Sequence, residues 1–258
     1  MRADQLLVER GLASSRSQAQ RLIAGGLRWR VGASDWRVVA KNGDAVPAAA
    51  ELDLADAAEA RYVSRGGLKL EGALAATGLS VAGACCLDVG QSTGGFTDCL
   101  LQHGAARVVG VDVGHGQLHP QIREDARVAA VEGVNARQAD AMQTIAVDAG
   151  RTGAAAVFDI VVGDLSFISL TLVLPALAPL LRPGGHLLML AKPQFELQPA
   201  QIGKGGIVRD AALYAEVEAR LRAACADAGL AVRQWLPSPI AGGDGNREFF
   251  VFAWKAHP

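Results

Sequence analysis

From residue 84 onward, short apolar runs alternate with segments of helical period. Cys85-Cys86-Leu87-Asp88-Val89 reads as a buried strand, and Thr97 to His103 as the helix after it. Arg107 to Asp112 is a second strand ending in a carboxylate, and Val128 to Val131 a third. Val157 to Val162 is a fourth, running up to Asp164. Leu170 to Leu180 has the leucine spacing of a helix. His186 to Ala191 is a fifth strand, running up to Lys192. Leu213 to Ala228 is a long amphipathic helix, with Leu213, Val217, Leu221, Ala224 and Ala228 on one face. Two further strands, Ala231 to Leu236 and Glu248 to Trp254, bring the set to seven. Strands that alternate with helices predict an α/β fold with a mainly parallel, doubly wound sheet.

The first 60 residues read differently. Residues 4–10 suit a short helix stopped by Gly11. Ser15 and Gln18 have capping-box spacing for a second helix, whose Ala19, Leu22 and Ile23 form an apolar stripe before Gly25-Gly26. Residues 27–31 and 36–39 alternate across a short turn and predict a hairpin. The result is a small α+β module, a junction over 60–64, and a helix over Gly67 to Thr77. Residues 1–46 hold eight basic and four acidic side chains; residues 51–60 hold four acids and no base, an acidic connector. The net charge of −1 on 258 residues is therefore a cancellation between segments. Half the residues are hydrophobic and a fifth are charged, which excludes a disordered chain. The four cysteines form no CxxC pair, so a reducing compartment fits. No apolar run is long enough for a membrane span, and the charged N-terminus lacks a signal peptide's apolar core. A cytoplasmic protein with no membrane partner is expected.

Chemistry concentrates in two places. A glycine-rich turn, Gly90-Gln91-Ser92-Thr93-Gly94-Gly95, joins the first strand to its helix, at the sheet edge where such folds bind ligands. It is neither GxGxxG nor a P-loop. Asp-x-Gly-x-x-x-Gly-Gly resembles motif I of S-adenosylmethionine methyltransferases, and Asp112 stands where that fold holds the ribose hydroxyls; a tight turn with structural glycines is the plain alternative. The second place is a set of four charged residues. Lys69 lies on the helix before the sheet, Asp164 and Lys192 at two strand ends, and Glu248 at the start of the antiparallel last strand. Asp164, Lys192 and Glu248 should meet at the same edge, where a lysine beside carboxylates is a candidate catalytic group, with ordinary ion pairing as the alternative for each of the four.

Lys-Asp-Lys-Glu in this order matches the tetrad of FtsJ-like RNA 2′-O-methyltransferases. SRGGLKL, DVGQSTGGFT, DVGHGQL, DLSFISL, KPQFE, GKGGIVRD and SPIAGGDGNREFF resemble the TlyA, or haemolysin A-like, rRNA methyltransferases, and RGLASSRSQAQRLIAGG resembles the S4-like domain that precedes the catalytic domain there. The resemblance covers nearly the whole chain. It implies an S4-like RNA-binding domain at 1–59, a linker at 60–64 and a Rossmann-like methyltransferase domain at 65–258. It also implies transfer of a methyl group from S-adenosylmethionine to a cytidine 2′-oxygen in 23S rRNA, with 16S rRNA as a second candidate. Lys69, Asp164, Lys192 and Glu248 would be catalytic. Lys192 would act as the base, or would steer the hydroxyl while the proton leaves to water. Asp88, Gly90, Ser92, Thr93, Gly94, Gly95, Phe96, Asp112, Asn135 and Ala136 would bind the cofactor. Ribosomal RNA or a ribosomal subunit is the implied partner, contacted by Arg2, Arg16, Arg21, Arg28, Arg30 and Arg65.

The chain also departs from the pattern. His115 and His119 have zinc-like spacing but no HExxH, so they read as rim residues and no metal is expected. Leu197 to Gln201 lacks a usual lysine, although Lys204 remains. The chain ends soon after its last strand, which by resemblance suggests a short form acting on the large subunit. The family's haemolysin name raises membrane lysis as a rival; a non-catalytic RNA-binding assembly factor is another. The intact tetrad argues against the second.

Overall fold

Ser15 opens the second helix as its spacing predicts, its hydroxyl accepting the Gln18 N–H at 3.2 Å. The Gln18 side-chain amide also donates to the Tyr62 carbonyl, at 3.0 Å. The structure, a computed structural model, describes residues 1–13, 15–54, 61–148 and 158–257. Ala60 of the predicted junction, residues 55–59 of the predicted first domain and Val157 of the predicted fourth strand lie outside the described residues. The chain divides into two compact units, Met1–Leu68 and Lys69–Pro258.

The first unit holds α1 (Ala3–Glu9), α2 (Arg16–Ala24), β1 (Leu27–Arg30), β2 (Arg37–Val38) and β3 (Glu51–Leu54). Leu6, Leu7, Ala19, Leu22, Ile23 and Leu27 bury their side chains together, so one apolar stripe from each helix closes over the start of β1. The sheet runs β2-β1-β3, antiparallel throughout. Here the expectation of an acidic connector is corrected over residues 51–54; the rest of it, 55–60, lies outside the described residues. Residues 51–54 form a strand with Glu51 opposite Arg30 and Asp53 opposite Arg28. The acids lie where cross-strand pairing places them beside arginines.

The second unit contains the predicted seven-stranded sheet: β4 (Cys85–Val89), β5 (Arg107–Asp112), β6 (Val128–Glu132), β7 (Phe158–Gly163), β8 (Leu181–Ala191), β9 (Leu230–Pro237) and β10 (Phe249–Lys255). Its order is β6-β5-β4-β7-β8-β10-β9, with β10 antiparallel to both neighbours and β4 through β8 parallel. The central strands read as continuous apolar runs because both of their faces are covered. On one face, Met142 and Ile145 of α6 (Ala139–Asp148), the segment 170–180, and Val217, Leu221 and Cys225 of α9 (Ala212–Asp227) pack on Val89, Val109, Leu187 and Val251. On the other, Phe96 of α4 (Gly95–Gln102) stacks on Phe250, with ring centroids 6.2 Å apart. The expected i, i+4 pairs Glu216–Arg220 and Glu218–Arg222 form along α9.

The single helix expected over 170–180 is broken. A 3₁₀ turn at Leu170–Leu172, a four-residue helix α7 (Leu174–Leu177) and a second 3₁₀ turn at Ala178–Leu180 replace it. Pro175 and Pro179 each lack the N–H that a continuous helix needs and begin new short segments instead. Lys255 closes the break by donating to the carbonyls of Ala178 and Leu181, both at 2.9 Å. β8 begins five residues earlier than expected. Glu248 lies one residue before β10, not in it.

Candidate active site

β4 lies between β5 and β7, and the order of the strands reverses there, so the loops after these strands open outward around a crevice. The loop after β4 is held by buried polar contacts. Gln91 donates to the Thr97 hydroxyl at 2.9 Å, and Thr97 donates to Asp88 at 2.7 Å. Asp88 is fully buried, and burial pushes its carboxyl up to about 7, against the opposing pull of the Thr97 hydrogen bond; the nearby Asp164 and Asp112 push the same way as burial. Two glycines in the loop are required by geometry. A Cβ on Gly90, at φ +84°, would meet the Asp164 carbonyl at 2.6 Å, and one on Gly94, at φ +96°, would meet Leu118 at 2.8 Å. Ser92 itself adopts φ +47°. Its N–H donates to one Asp112 oxygen at 2.7 Å, and the Gly114 N–H donates to the other at 2.7 Å.

The crevice has a volume of about 900 Å³ and is lined by Gly90, Ser92, Asp112, Val113, Asn135, Ala136, Asp164 and Ser166, among others. Of the expected cofactor residues, Gly90, Ser92, Asp112, Asn135 and Ala136 face it. Asp88 supports the loop from beneath. Gly94, Gly95 and Phe96 are buried at the start of α4, and Thr93 is half-buried there. The structure therefore separates the motif into a lining and a support. Val113, Phe167 and Leu172 are the exposed large hydrophobic residues of the second unit, among the described residues, and all three line the crevice. An exposed apolar lip of this kind marks a binding site. Phe167 is 90% exposed, at φ +64°, and its ring lies 5.1 Å from that of Phe195.

The four charged residues come together as two ion pairs. Lys192 Nζ lies 2.6 Å from Asp164 Oδ1 and donates to Ser166 Oγ at 2.8 Å. Lys69 Nζ, on α3 (Gly66–Thr77), lies 2.6 Å from Glu248 Oε2. Both pairs are close by distance, with angles outside hydrogen-bond geometry. Phe249 pairs with Ala191 across β10 and β8, so the next step of that ladder sets Glu248 opposite Lys192 and joins the pairs into one cluster at the sheet edge. Sequence reasoning did not single out Ser166, Phe167, Phe195 or Glu196. A hydroxyl two residues after Asp164 was the signal available for Ser166; Phe167 looks like any core aromatic until its exposure is known.

The arginines expected to touch RNA divide as well. Arg2 forms a two-point pair with the buried Asp4, at 2.9 Å for each contact, which holds the Asp4 carboxyl below its usual range. Arg28 and Arg30 pair with Asp53 and Glu51, and both stand beside the Trp36 ring, 5.8 and 4.6 Å from its centroid. Arg16 is exposed and Arg21 half-buried on α2, and Arg65 is half-buried just before α3. His119 caps α5 (Pro120–Arg123), its ring accepting the Gln121 N–H at 3.3 Å.

Among the described residues, no helix is long and apolar enough to cross a membrane. Comparison with known proteins agrees with the geometry. A model of the FtsJ-like methyltransferase family matches residues 62–255, and one of the S4 domain matches residues 1–27. The chain is 42% identical to the 16S/23S rRNA (cytidine-2'-O)-methyltransferase TlyA of Mycobacterium tuberculosis, over 97% of this chain and 88% of that one. It is 36% identical to Hemolysin A of Brachyspira hyodysenteriae, over 97% and 98%. A solved Streptococcus thermophilus structure described as a hemolysin superposes with a TM-score of 0.74 at 42% identity, covering 99% of this chain and 88% of that one. The chain belongs to the FtsJ-like methyltransferase family and carries an S4 domain at its N-terminus.

Proposed function

We propose that the chain transfers a methyl group from S-adenosylmethionine to the 2′-oxygen of a cytidine in ribosomal RNA. The observation that carries this reading is the Lys192 amine held between Asp164 and Ser166, two residues that line the same crevice as the Asp112 loop. The crevice fits the cofactor. Its volume is in the range of small-molecule sites. Each Asp112 oxygen has accepted one backbone N–H and keeps a lone pair for a ribose hydroxyl. Val113, Val134 and Ala136 give an adenine an apolar wall, and Asn135 supplies polar contacts beside it. When bound, S-adenosylmethionine supplies an electrophilic methyl on a sulfonium sulfur.

The chain's own residues do the rest. A ribose hydroxyl is a weak nucleophile, so orientation supplies much of the acceleration. Each lysine of the cluster has its own carboxylate, and this pairing favours the steering role for Lys192. Its amine holds the 2′-oxygen in line, and the hydroxyl proton passes to Asp164 or water as the new bond forms. Lys69 and Glu248 hold the wall behind it. Phe167, exposed at the mouth, offers a ring on which an unstacked base can rest. Residues 1–59 dock RNA, 60–64 link, and 65–258 carry the chemistry.

The test is transfer of labelled methyl from S-adenosylmethionine to unmethylated ribosomal subunits and to free rRNA, with mass-spectrometric mapping of the product. Label on a cytidine 2′-oxygen is expected. Lys192→Ala should abolish transfer while calorimetry shows near-normal cofactor affinity. No transfer to either subunit or to free rRNA defeats the reading, in favour of an assembly factor or a membrane-active protein.

A further inference from the structure

Glu196 is a buried carboxylate that the chemistry above does not use. It ends α8 (Pro193–Glu196), the four-residue helix whose N-cap is Lys192. Its oxygens reach back across the crevice wall, where Ser169 Oγ donates to Oε2 at 2.5 Å and the Leu170 N–H donates to Oε1 at 2.8 Å. The loop that receives it, residues 164–170, also carries Asp164 and Ser166. The two segments are thus fastened at both ends. Lys192 contacts Asp164 and Ser166, Phe195 contacts Phe167, and Glu196 contacts Ser169 and Leu170. Arg220 of α9 donates to the Glu196 carbonyl, and Gln194 donates to Asp244 at 3.1 Å, so α8 is anchored on its outer side too.

Capping alone does not account for this carboxylate. Ser169 already caps the turn that begins at Leu170, accepting the Thr171 N–H at 3.2 Å. A buried carboxylate carries a desolvation cost, and burial raises the Glu196 pKa above the usual glutamate range despite the two donors. A local cap needs no such group from 26 residues away; a fastener between two separate loops does.

We propose that Glu196 is a positioning residue, whose carboxylate latches α8 to the 164–170 loop and thereby holds the Lys192 amine against Asp164 and Ser166. The consequence for catalysis rests on the methyl-transfer reading; the effect on the amine itself does not. Without the latch, the loops separate at the Glu196 end and Lys192 loses its fixed aim, while the Asp112 side of the crevice keeps its own contacts.

Two measurements on the full chain test this. In the first, Glu196→Ala lowers kcat by about 10- to 100-fold, the scale of a misplaced catalytic group, with KM and calorimetric affinity for S-adenosylmethionine unchanged. Glu196→Gln keeps an acceptor for the Leu170 N–H and a partner for the Ser169 hydroxyl, so it restores most of kcat. The second measurement needs no activity: competitive acylation of lysine amines, read by mass spectrometry. Lys192 should label several-fold faster in Glu196→Ala than in the wild type or Glu196→Gln, with Lys255, pinned to two carbonyls, as the internal reference. Unchanged Lys192 labelling overturns the proposal whether or not the wild type transfers methyl groups. So does a Glu196→Ala chain that melts earlier yet keeps its kcat, because the residue is then a structural support only. Absence of transfer by the wild type, with faster Lys192 labelling in Glu196→Ala, defeats the methyltransferase reading and leaves the latch standing.

Discussion

Asp88 shows how much one buried residue can hold. Its carboxyl lies under the glycine-rich loop, accepts the Thr97 hydroxyl, and is pushed by burial up to about 7. An unfolded chain ionises this group near pH 4, so between about 4 and 7 the unfolded state has lost a proton that the folded state keeps. The stability contributed by neutral Asp88 is therefore full below pH 4 and falls as the pH rises, until it is gone above about 7. Each unit of separation is about 1.4 kcal/mol, so the swing is on the order of a few kcal/mol. Asp88→Asn removes the titration and keeps an acceptor for Thr97. Denaturant midpoints measured from pH 4 to 7 should show the variant gaining on the wild type as the pH rises. Parallel curves for the two proteins would show that Asp88 stays ionised in the fold. Groups elsewhere, such as the half-buried Asp125, held low by Arg127, titrate alike in both proteins and cancel in the difference.

At the level of elements, strands covered on both faces were readable and strands defined by a partner were not. β4 and β5 match their expected ranges residue for residue, because burial on both sides leaves a mostly apolar run. β3 reads Glu-Leu-Asp-Leu and looks like a solvated connector; only β1, with arginines at the matching register, makes it a strand. The leucine spacing over 170–180 promised one helix, and Pro175 and Pro179 overrode it. The site follows the same rule. Asp112, Asp164 and Lys192 were legible as charged residues at strand ends. Ser166 and Glu196 act through contacts to residues 26 positions away, which local pattern does not reveal. The β1–β3 register also yields a prediction. The pairs Arg28–Asp53 and Arg30–Glu51 are exposed, so removing both acids should cost less than about 1 kcal/mol in thermal or denaturant unfolding. The same Glu51→Ala/Asp53→Ala chain should bind rRNA more tightly at low salt, since two arginines lose their internal partners. Unchanged RNA affinity would assign Arg28 and Arg30 to holding the sheet together.

The whole molecule is almost neutral, but its two units are not charged alike. The first has ten basic and eight acidic side chains, and the second has 15 and 18. Most of the acidic partners identified in the first unit engage the sheet and the N-terminal turn, where Arg2, Arg28 and Arg30 are paired. Helix α2 carries Arg16 and Arg21 and has no acid in its own sequence. Two basic side chains thus lie together on one helix of the first unit, while the Lys69–Glu248 and Lys192–Asp164 pairs contribute no net charge because their two lysines and two carboxylates cancel. RNA affinity and methyl transfer should separate accordingly. Each phosphate contact adds about 0.9 to the slope of log affinity against log salt, or about 0.7 on single strands. Arg16→Ala/Arg21→Ala should therefore flatten that slope by up to about 2. The same variant should raise KM for rRNA and leave kcat and cofactor affinity as they were, the reverse of the expectation for Lys192→Ala. Titrations of rRNA over a range of salt concentrations, paired with steady-state kinetics, measure both. An unaltered salt slope would move the RNA surface off α2, and a fall in kcat at saturating RNA would mean that α2 also orients the target ribose.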